Sequence, residues 1–303
     1  MTNNRRAMPP AGLSLVFALS FALAACGGSA ATPAASRIPS AVQHGSLMVD
    51  GQQRTYFVFR PPSLDPKQQS PLVLVLHGYT VDAAWMEATT NFDDQAKKGG
   101  FMAAYPEGIG RSWNAGSCCG DAQSQKLDDV AFIKQLIDRL ASDGSIDRKR
   151  VFVAGLSNGA IMAYRLACDL SDRIAGIASV AGSMGITECH PAQPVSVLEM
   201  HGTKDSIVLY DGGKTGLGTF PSANEVIKGW VTADGCAGNP ILSQSGITKT
   251  SVWKGCHAGT IVRLDTVAGG HHTWFGSTFD PVPGEPNANA VIWDFFSHLA
   301  PRG

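Results

Sequence analysis

The stretch VFVAGLSNGAIMAY (Val151–Tyr164) holds the reading of this chain. Its first half is an apolar, β-branched run, as a buried strand requires, and it passes into AIMAYRLACDL (160–170), which has helical spacing. Gly155 and Gly159 stand two residues either side of Ser157. Glycine at both places permits a tight strand-to-helix turn and close packing of helix on strand, where bulkier side chains would clash. The same alternation continues outward. PLVLVLHG (71–78) and the weaker FMAAYPEG (101–108) read as strands before it, and IAGIASVAG (174–182), VSVLEMHG (195–202) and TIVRLDTVAGG (260–270) as strands after it. LDDVAFIKQLIDRLAS (127–142), SANEVIKGWVTADG (222–235) and NANAVIWDFFSHLA (287–300) read as the interleaved helices. SLMVDGQQRTYFVFRPP (46–62) adds two strands around an Asp50-Gly51 turn. Strands that are mostly apolar throughout and alternate with helices predict an α/β fold: a mostly parallel central sheet with helices on both faces.

Ser157 therefore sits where a strained strand-to-helix elbow would expose it. The helix N-terminus beneath it offers unpaired N–H groups and a positive field, both suited to a developing oxyanion. A plain N-cap serine is the bland alternative. A nucleophilic serine needs a base, and the base needs an orienting acid. Asp205 follows the strand ending at Gly202, and His271 and His272 follow the strand TIVRLDTVAGG. In a parallel sheet all three emerge at the carboxyl edge, where sites on such sheets lie. On spacing alone either histidine could serve, and Asp211 and Asp265 compete with Asp205. His77 and His201, each before a glycine at a strand end, read as loop-shaping residues. A metal site from His201, Asp205, His271 and His272 lacks any HExxH-like spacing, so neither metal nor cofactor is expected. The oxyanion donors would be the backbone N–H of Asn158 and, from the loop after the early apolar strand, of Tyr79.

LHGYT, YPEG, WNAGSCCG, DDVAFI, VFVAGLSNGAIMAYRLAC, HGTKD and GGHHTW, in this order, resemble the polyhydroxybutyrate depolymerase-like and feruloyl-esterase-like proteins of the α/β-hydrolase superfamily, bacterial lipoproteins among them. The resemblance runs from about residue 45 to residue 300. It implies the α/β-hydrolase fold, with Ser157 as nucleophile, Asp205 as acid and His272, directly before Thr-Trp, as base. His271 stands where relatives usually have glycine, and Phe275 replaces the usual proline, which would alter the rim beside the substrate. Trp113 and Trp274 are expected to border the acyl pocket, with core packing as the alternative for both. The implied activity is a serine esterase acting on feruloyl or acetyl esters or short hydroxyalkanoate oligomers. The rival from another class is a catalytically inactive lipoprotein that binds a ligand or surface partner in the same cleft. With no second substrate-binding domain expected, soluble oligomers and small esters fit better than an insoluble polymer.

The N-terminus reads differently from the rest. Arg5 and Arg6 precede an apolar run that ends in small residues, the pattern of a secretory signal. The run from Ala11 to Ala25 is too short to span a bilayer, which takes about 20 residues. LAAC (Leu23–Cys26) resembles a lipobox, which predicts a signal over 1–25, a lipidated Cys26 and a flexible tether over 26–44 rich in Ala, Ser, Gly and Pro. The domain with the site would then cover 45–303. An ordinary signal cleaved near Ala25 would instead give a secreted chain. Six further cysteines in an exported chain predict disulfides. Proximity favours Cys168 with Cys189 and Cys236 with Cys256, the pairs that the resemblance also implies, and leaves Cys118 and Cys119 adjacent, bridged or free. The 24 basic and 25 acidic residues among 303 give no electrostatic footprint for nucleic acid. The only membrane contact expected is the lipid anchor.

Overall fold

β1 (Val42–Val49) and β2 (Gln52–Phe59) form a hairpin whose turn residues, Asp50 and Gly51, have φ of 48° and 76°, as a two-residue primed turn requires. The computed structural model describes residues 41–302, so the expected signal, tether start and Cys26 lie outside the described residues. Pairing of Val42 with Phe59 takes residues 42–44, expected in the tether, into β1. β3 (Ser70–Leu76) leads through a loop to two eight-residue helices, α1 (Ala83–Thr90) and α2 (Phe92–Gly99), and then to β4 (Met102–Pro106). A short α3 (Gly120–Ser124) and α4 (Asp129–Leu140) precede β5 (Ile146–Leu156), α5 (Asn158–Asp169), β6 (Gly176–Val180) and β7 (Ser196–Gly202). The remainder comprises a ribbon of β8 (Gly213–Thr215) and β9 (Gly218–Phe220), α6 (Ala223–Ala233), a hairpin of β10 (Ile241–Ser245) and β11 (Thr248–Trp253), β12 (Val262–Val267) and α7 (Ala288–Ser297).

Ten strands make one sheet in the order β1-β2-β4-β3-β5-β6-β7-β12-β11-β10. Its centre, from β4 to β12, is parallel, and the antiparallel pairs lie at its two ends. Alternation along β3 fills both faces. Leu72, Leu74 and Leu76 pack with Phe132 of α4 and Ile161 of α5, while Val73 and Val75 pack with Met86 of α1, Phe92 of α2 and Phe296 of α7. A strand buried on both faces is written as a nearly continuous apolar run, and β3 is buried throughout. α5 is likewise buried nearly all round, which accounts for its small and apolar residues.

Sequence reasoning left α1, α2 and the β10–β11 hairpin unassigned. α2 (FDDQAKKG) offers only Phe92 and Ala96 as apolar positions in eight residues, and every residue of β10 is exposed, so neither has enough apolar positions to mark an element. The ladder to β11 rather than a buried face holds β10. Disulfides link Cys168 at the end of α5 to Cys189, and Cys236 after α6 to Cys256. Cys118 and Cys119 are bridged to each other rather than free.

Candidate active site

Four loops meet at the carboxyl edge of the parallel strands, those after β3, β5, β7 and β12. The turn after β5 is the tightest. Ser157 has φ 55° and ψ −118°, a conformation that costs a non-glycine residue about 1–3 kcal/mol and persists only where the surroundings enforce it. Here the backbone N–H of Ser157 donates to Val180 O of β6 (3.0 Å), and α5 begins at the next residue. A Cβ on Gly155 would lie 2.4 Å from the backbone of Gly159, and one on Gly159 would lie 2.4 Å from Leu76 O. Both glycines are thus required by contact with backbone. A Cβ on Gly78 would lie 3.5 Å from that of Ser157, so the β3 loop rests against the serine.

That loop is fixed from below by His77. Its Nε2 accepts the N–H of Gly108 (2.9 Å), which leaves Nδ1–H to donate to Gly78 O (2.8 Å). Burial, only partly opposed by the bond to Gly78, lowers its pKa to about 4, so the ring stays neutral as this bonding demands. The loop-shaping role expected of His77 matches these contacts.

After β7, Asp205 turns back under its own loop. Oδ1 accepts the backbone N–H groups of Ile207 (2.8 Å) and Val208 (2.9 Å), and Oδ2 pairs with Nδ1 of His272 (2.7 Å). Burial would raise this carboxyl's pKa, but the bonds from His201 and His272 prevail and hold it well below the usual carboxylate range. The neighbouring histidine points elsewhere: His271 Nδ1 meets Asp280 Oδ2 (3.0 Å) at the surface. The competing acids are otherwise placed. Asp265 is bound by Arg263 and Thr250, and Asp211 is exposed. Ser157, His272 and Tyr79 line one cavity of about 560 Å³.

Asn158 contributes more than a backbone N–H. Its buried side chain accepts from Trp113 N (2.7 Å) and donates to Trp113 O (3.0 Å), clipping the 113–119 loop to the start of α5. Sequence reasoning assigned that side chain no significance. Trp113 and Trp274, expected at the acyl pocket, are core residues instead. Trp113 is fully buried with Nε1 donating to His77 O (3.0 Å), and Trp274 donates to Asn289 Oδ1 (2.8 Å) with its ring edge-on to Phe92. Each indole N–H needs a partner when buried, and each finds it away from the cavity. Phe275, expected at the rim, is also buried in the core. Trp85 of α1, Ile207, Leu217 and Phe279 line the cavity in their place. Trp85 and Phe279 meet edge to face at 5.6 Å. Residues so far apart in the chain carried no local signal of a shared wall. Thr215, Gly216 and Leu217, from the glycine-rich β8–β9 ribbon, also reach the cavity.

Sheet order, elbow and the placement of Ser157, Asp205 and His272 define an α/β-hydrolase. Residues 120–224 match the family described as Phospholipase/Carboxylesterase. NocK of Nocardia uniformis subsp. tsuyamanensis, which carries the name of an esterase, is 30% identical over 77% of this chain and 74% of its own length. Feruloyl esterase B of Piromyces equi is also 30% identical, over 72% of this chain but only 42% of its own length. Among solved structures, the acetyl xylan esterase from Aspergillus awamori superposes with a TM-score of 0.61 at 14% identity, covering 84% of this chain and 99% of that one. An S-formylglutathione hydrolase from Agrobacterium tumefaciens gives 0.55 at 13% identity, over 86% and 95%. At such identities these superpositions speak for the fold alone. The chain belongs to the esterases of the α/β-hydrolase superfamily.

Proposed function

We propose that this chain is an exported serine esterase that hydrolyses neutral carboxylic esters, of the feruloyl or acetyl kind or short hydroxyalkanoate oligomers. The observation that carries the reading is the 2.7 Å bond from His272 Nδ1 to Asp205 Oδ2, with His272 and Ser157 on the wall of one cavity. Asp205 keeps the His272 ring in the tautomer with a proton on Nδ1, which frees Nε2 to accept the Ser157 proton as Oγ attacks the ester carbonyl. The N–H groups of Tyr79 and Asn158 receive the oxyanion, each donor being worth about 3–4 kcal/mol where such groups have been removed in other enzymes. The alcohol departs with the proton from His272, and water releases the acyl group by the same route.

The lining residues carry no charged side chain apart from what a protonated His272 would supply. That favours a neutral ester over a phospholipid, whose phosphate would call for a cation or a built set of N–H donors. The names of the feruloyl and acetylxylan esterase relatives support the same substrate class. We assign residues 1–25 to a signal, Cys26 to lipidation and the following segment to a tether, so the enzyme would sit at the cell envelope. Loss of palmitate labelling in Cys26→Ala tests the anchor; unchanged labelling would refute it.

The activity is tested on chain starting after Cys26, with Ser157→Ala as the blank. We would compare kcat/KM for methyl ferulate, an acetylated xylo-oligosaccharide and a hydroxybutyrate oligomer, and label with a fluorophosphonate. Turnover and labelling lost together in Ser157→Ala would support the reading. A wild type that matches the blank and stays unlabelled would replace it with a binding cleft.

A further inference from the structure

Behind the Asp205–His272 pair lies a second set of ionisable groups that the proposed reaction does not use. β7 places Glu199 and His201 two residues apart, so both side chains leave the same face of the strand. His201 is fully buried, and Glu199 and Asp205 nearly so. His201 Nδ1 lies 2.9 Å from Glu199 Oε1. On the other side, Nε2 lies 2.8 Å from Val208 O and 3.3 Å from Asp205 Oδ2, the oxygen that also pairs with His272. Tyr164 OH of α5 donates to Glu199 Oε2 (2.8 Å).

Proton counting decides what this arrangement can be. A backbone carbonyl and an ionised carboxylate can only accept, and a neutral imidazole has a single N–H. With a neutral ring, one nitrogen lone pair would face an oxygen lone pair at under 3 Å, without water to intervene. Glu199 accepts the Tyr164 O–H at Oε2, which leaves Oε1 to meet Nδ1. A ring with protons on both nitrogens satisfies every contact. Resting on the esterase reading, we propose that His201 is a positioning residue, held as an imidazolium between Glu199 and Asp205, which fixes the Asp205 carboxylate for His272 and moderates its charge. Burial would strip the charge from His201, but the bonds to Asp205 and Glu199 prevail and push its pKa up to about 10.

The positioning is mechanical as well as electrostatic. Asp205 Oδ1 holds the N–H of Val208, and Val208 O in turn holds Nε2 of His201. His201 therefore closes the loop that carries the acid at both its carboxylate and its backbone. Groups from every packed element face the ring: Tyr164 of α5 through Glu199, Asp205 and the edge-on Tyr210 from the loop after β7, Thr266 of β12 in register, and His272 beyond Asp205. His201 is a cation in this group below about pH 10, and Glu199 is its counter-charge.

The sign of the effect follows. A positive charge beside Asp205 weakens the pull of that carboxylate on a proton at His272, so the base stays free to lower pH. In Glu199→Gln the counter-charge is gone, His201 falls neutral, and His272 feels Asp205 undiminished. The acid limb of kcat/KM should then move up by about one pH unit, and His201→Gln should move it the same way. Loosening of the Asp205 loop should also lower kcat by ten- to a hundred-fold with little change in KM, roughly what a misplacement of 1 Å costs. Folded fraction is checked by near-UV circular dichroism, because a merely structural role would lower active protein without moving the limb.

A measurement on unmutated protein removes dependence on folding of the variants. In ¹⁵N-histidine-labelled chain, long-range ¹H–¹⁵N spectra at pH 8 should show one ring, absent from His201→Gln, with both nitrogens protonated. A singly protonated His201 ring at that pH overturns the proposal, as does an unmoved limb in both variants. The spectra do not depend on turnover. Failure of the esterase reading, seen as wild type equal to Ser157→Ala, is thus distinguishable from failure of this one.

Discussion

Gly159→Ala is the sharpest single test of how the fold makes the site. In an open helix the change should stabilise by about 1 kcal/mol, since alanine is the better helix former. At this position the new Cβ would lie 2.4 Å from Leu76 O, 2.5 Å from His77 O and 2.7 Å from Leu76 C, all backbone atoms of the end of β3 and its loop. Ordinary contact begins near 3.4 Å, so α5 and the β3 loop must separate by about 1 Å. Overpacking of this kind costs about 1–3 kcal/mol, and rigid backbone on both sides argues for the upper half of that range. The steric term wins, for a net loss of about 1–2 kcal/mol. The same displacement moves Tyr79 relative to Ser157, and a 1 Å error in catalytic geometry can cost a hundred-fold in rate. Guanidinium titration and kcat/KM on a soluble ester read the two effects. Gly229→Ala in α6, with no heavy atom within 4 Å of its added Cβ, is the matched control and should stabilise by about 0.5–1 kcal/mol. Equal behaviour of the two variants would refute the steric account of the elbow.

Asn158→Leu should destabilise by about 1–3 kcal/mol, since it leaves the buried N–H of Trp113 unpaired while Trp113 O keeps the N–H groups of Ala115 and Cys119, and denaturant titration would show it. Serine pairs replacing Cys168–Cys189 or Cys236–Cys256, which close loops of 21 and 20 residues, should each cost about 3 kcal/mol in the same assay. Stability should also fall in alkali. His201, at 6.5 unfolded and about 10 folded, contributes a stabilisation fully present below pH 6.5 and lost as the pH climbs through 10. Denaturation midpoints of the wild type should therefore drop more steeply than those of His201→Gln between pH 7 and 10; parallel curves would contradict a charged His201.

Much of the architecture was legible because the central strands are buried on both faces and so are written as largely apolar runs, with Glu199 and His201 of β7 the buried exceptions. The elbow was legible for a related reason: backbone contact at Gly155 and Gly159 excludes every side chain, and that exclusion is visible as glycine. Elements with little or no buried face left no such trace. β10 is exposed along its whole length, and α1 buries only Ala83, Met86 and Thr90, its start being set by Asp82, whose side chain accepts from Trp85 N.

The candidate site divides along the same line. Ser157, Asp205 and the His271–His272 pair could be placed at one sheet edge by counting strands, because parallel strands all end at the same side. Which histidine meets Asp205 could not be counted. Adjacent residues in a loop face different ways, and the direction of each depends on where Asp280 and Asp205 stand. The identity of the cavity wall was equally hidden. Two tryptophans near the motifs turned out to be core because their N–H groups find buried acceptors, while Trp85 and Phe279, nearly two hundred residues apart, share the wall. Sequence by itself sets the order of elements and the chemistry at their ends, through burial and backbone sterics that act locally. Side-chain partners across the sheet are decided only by packing, which no local pattern records.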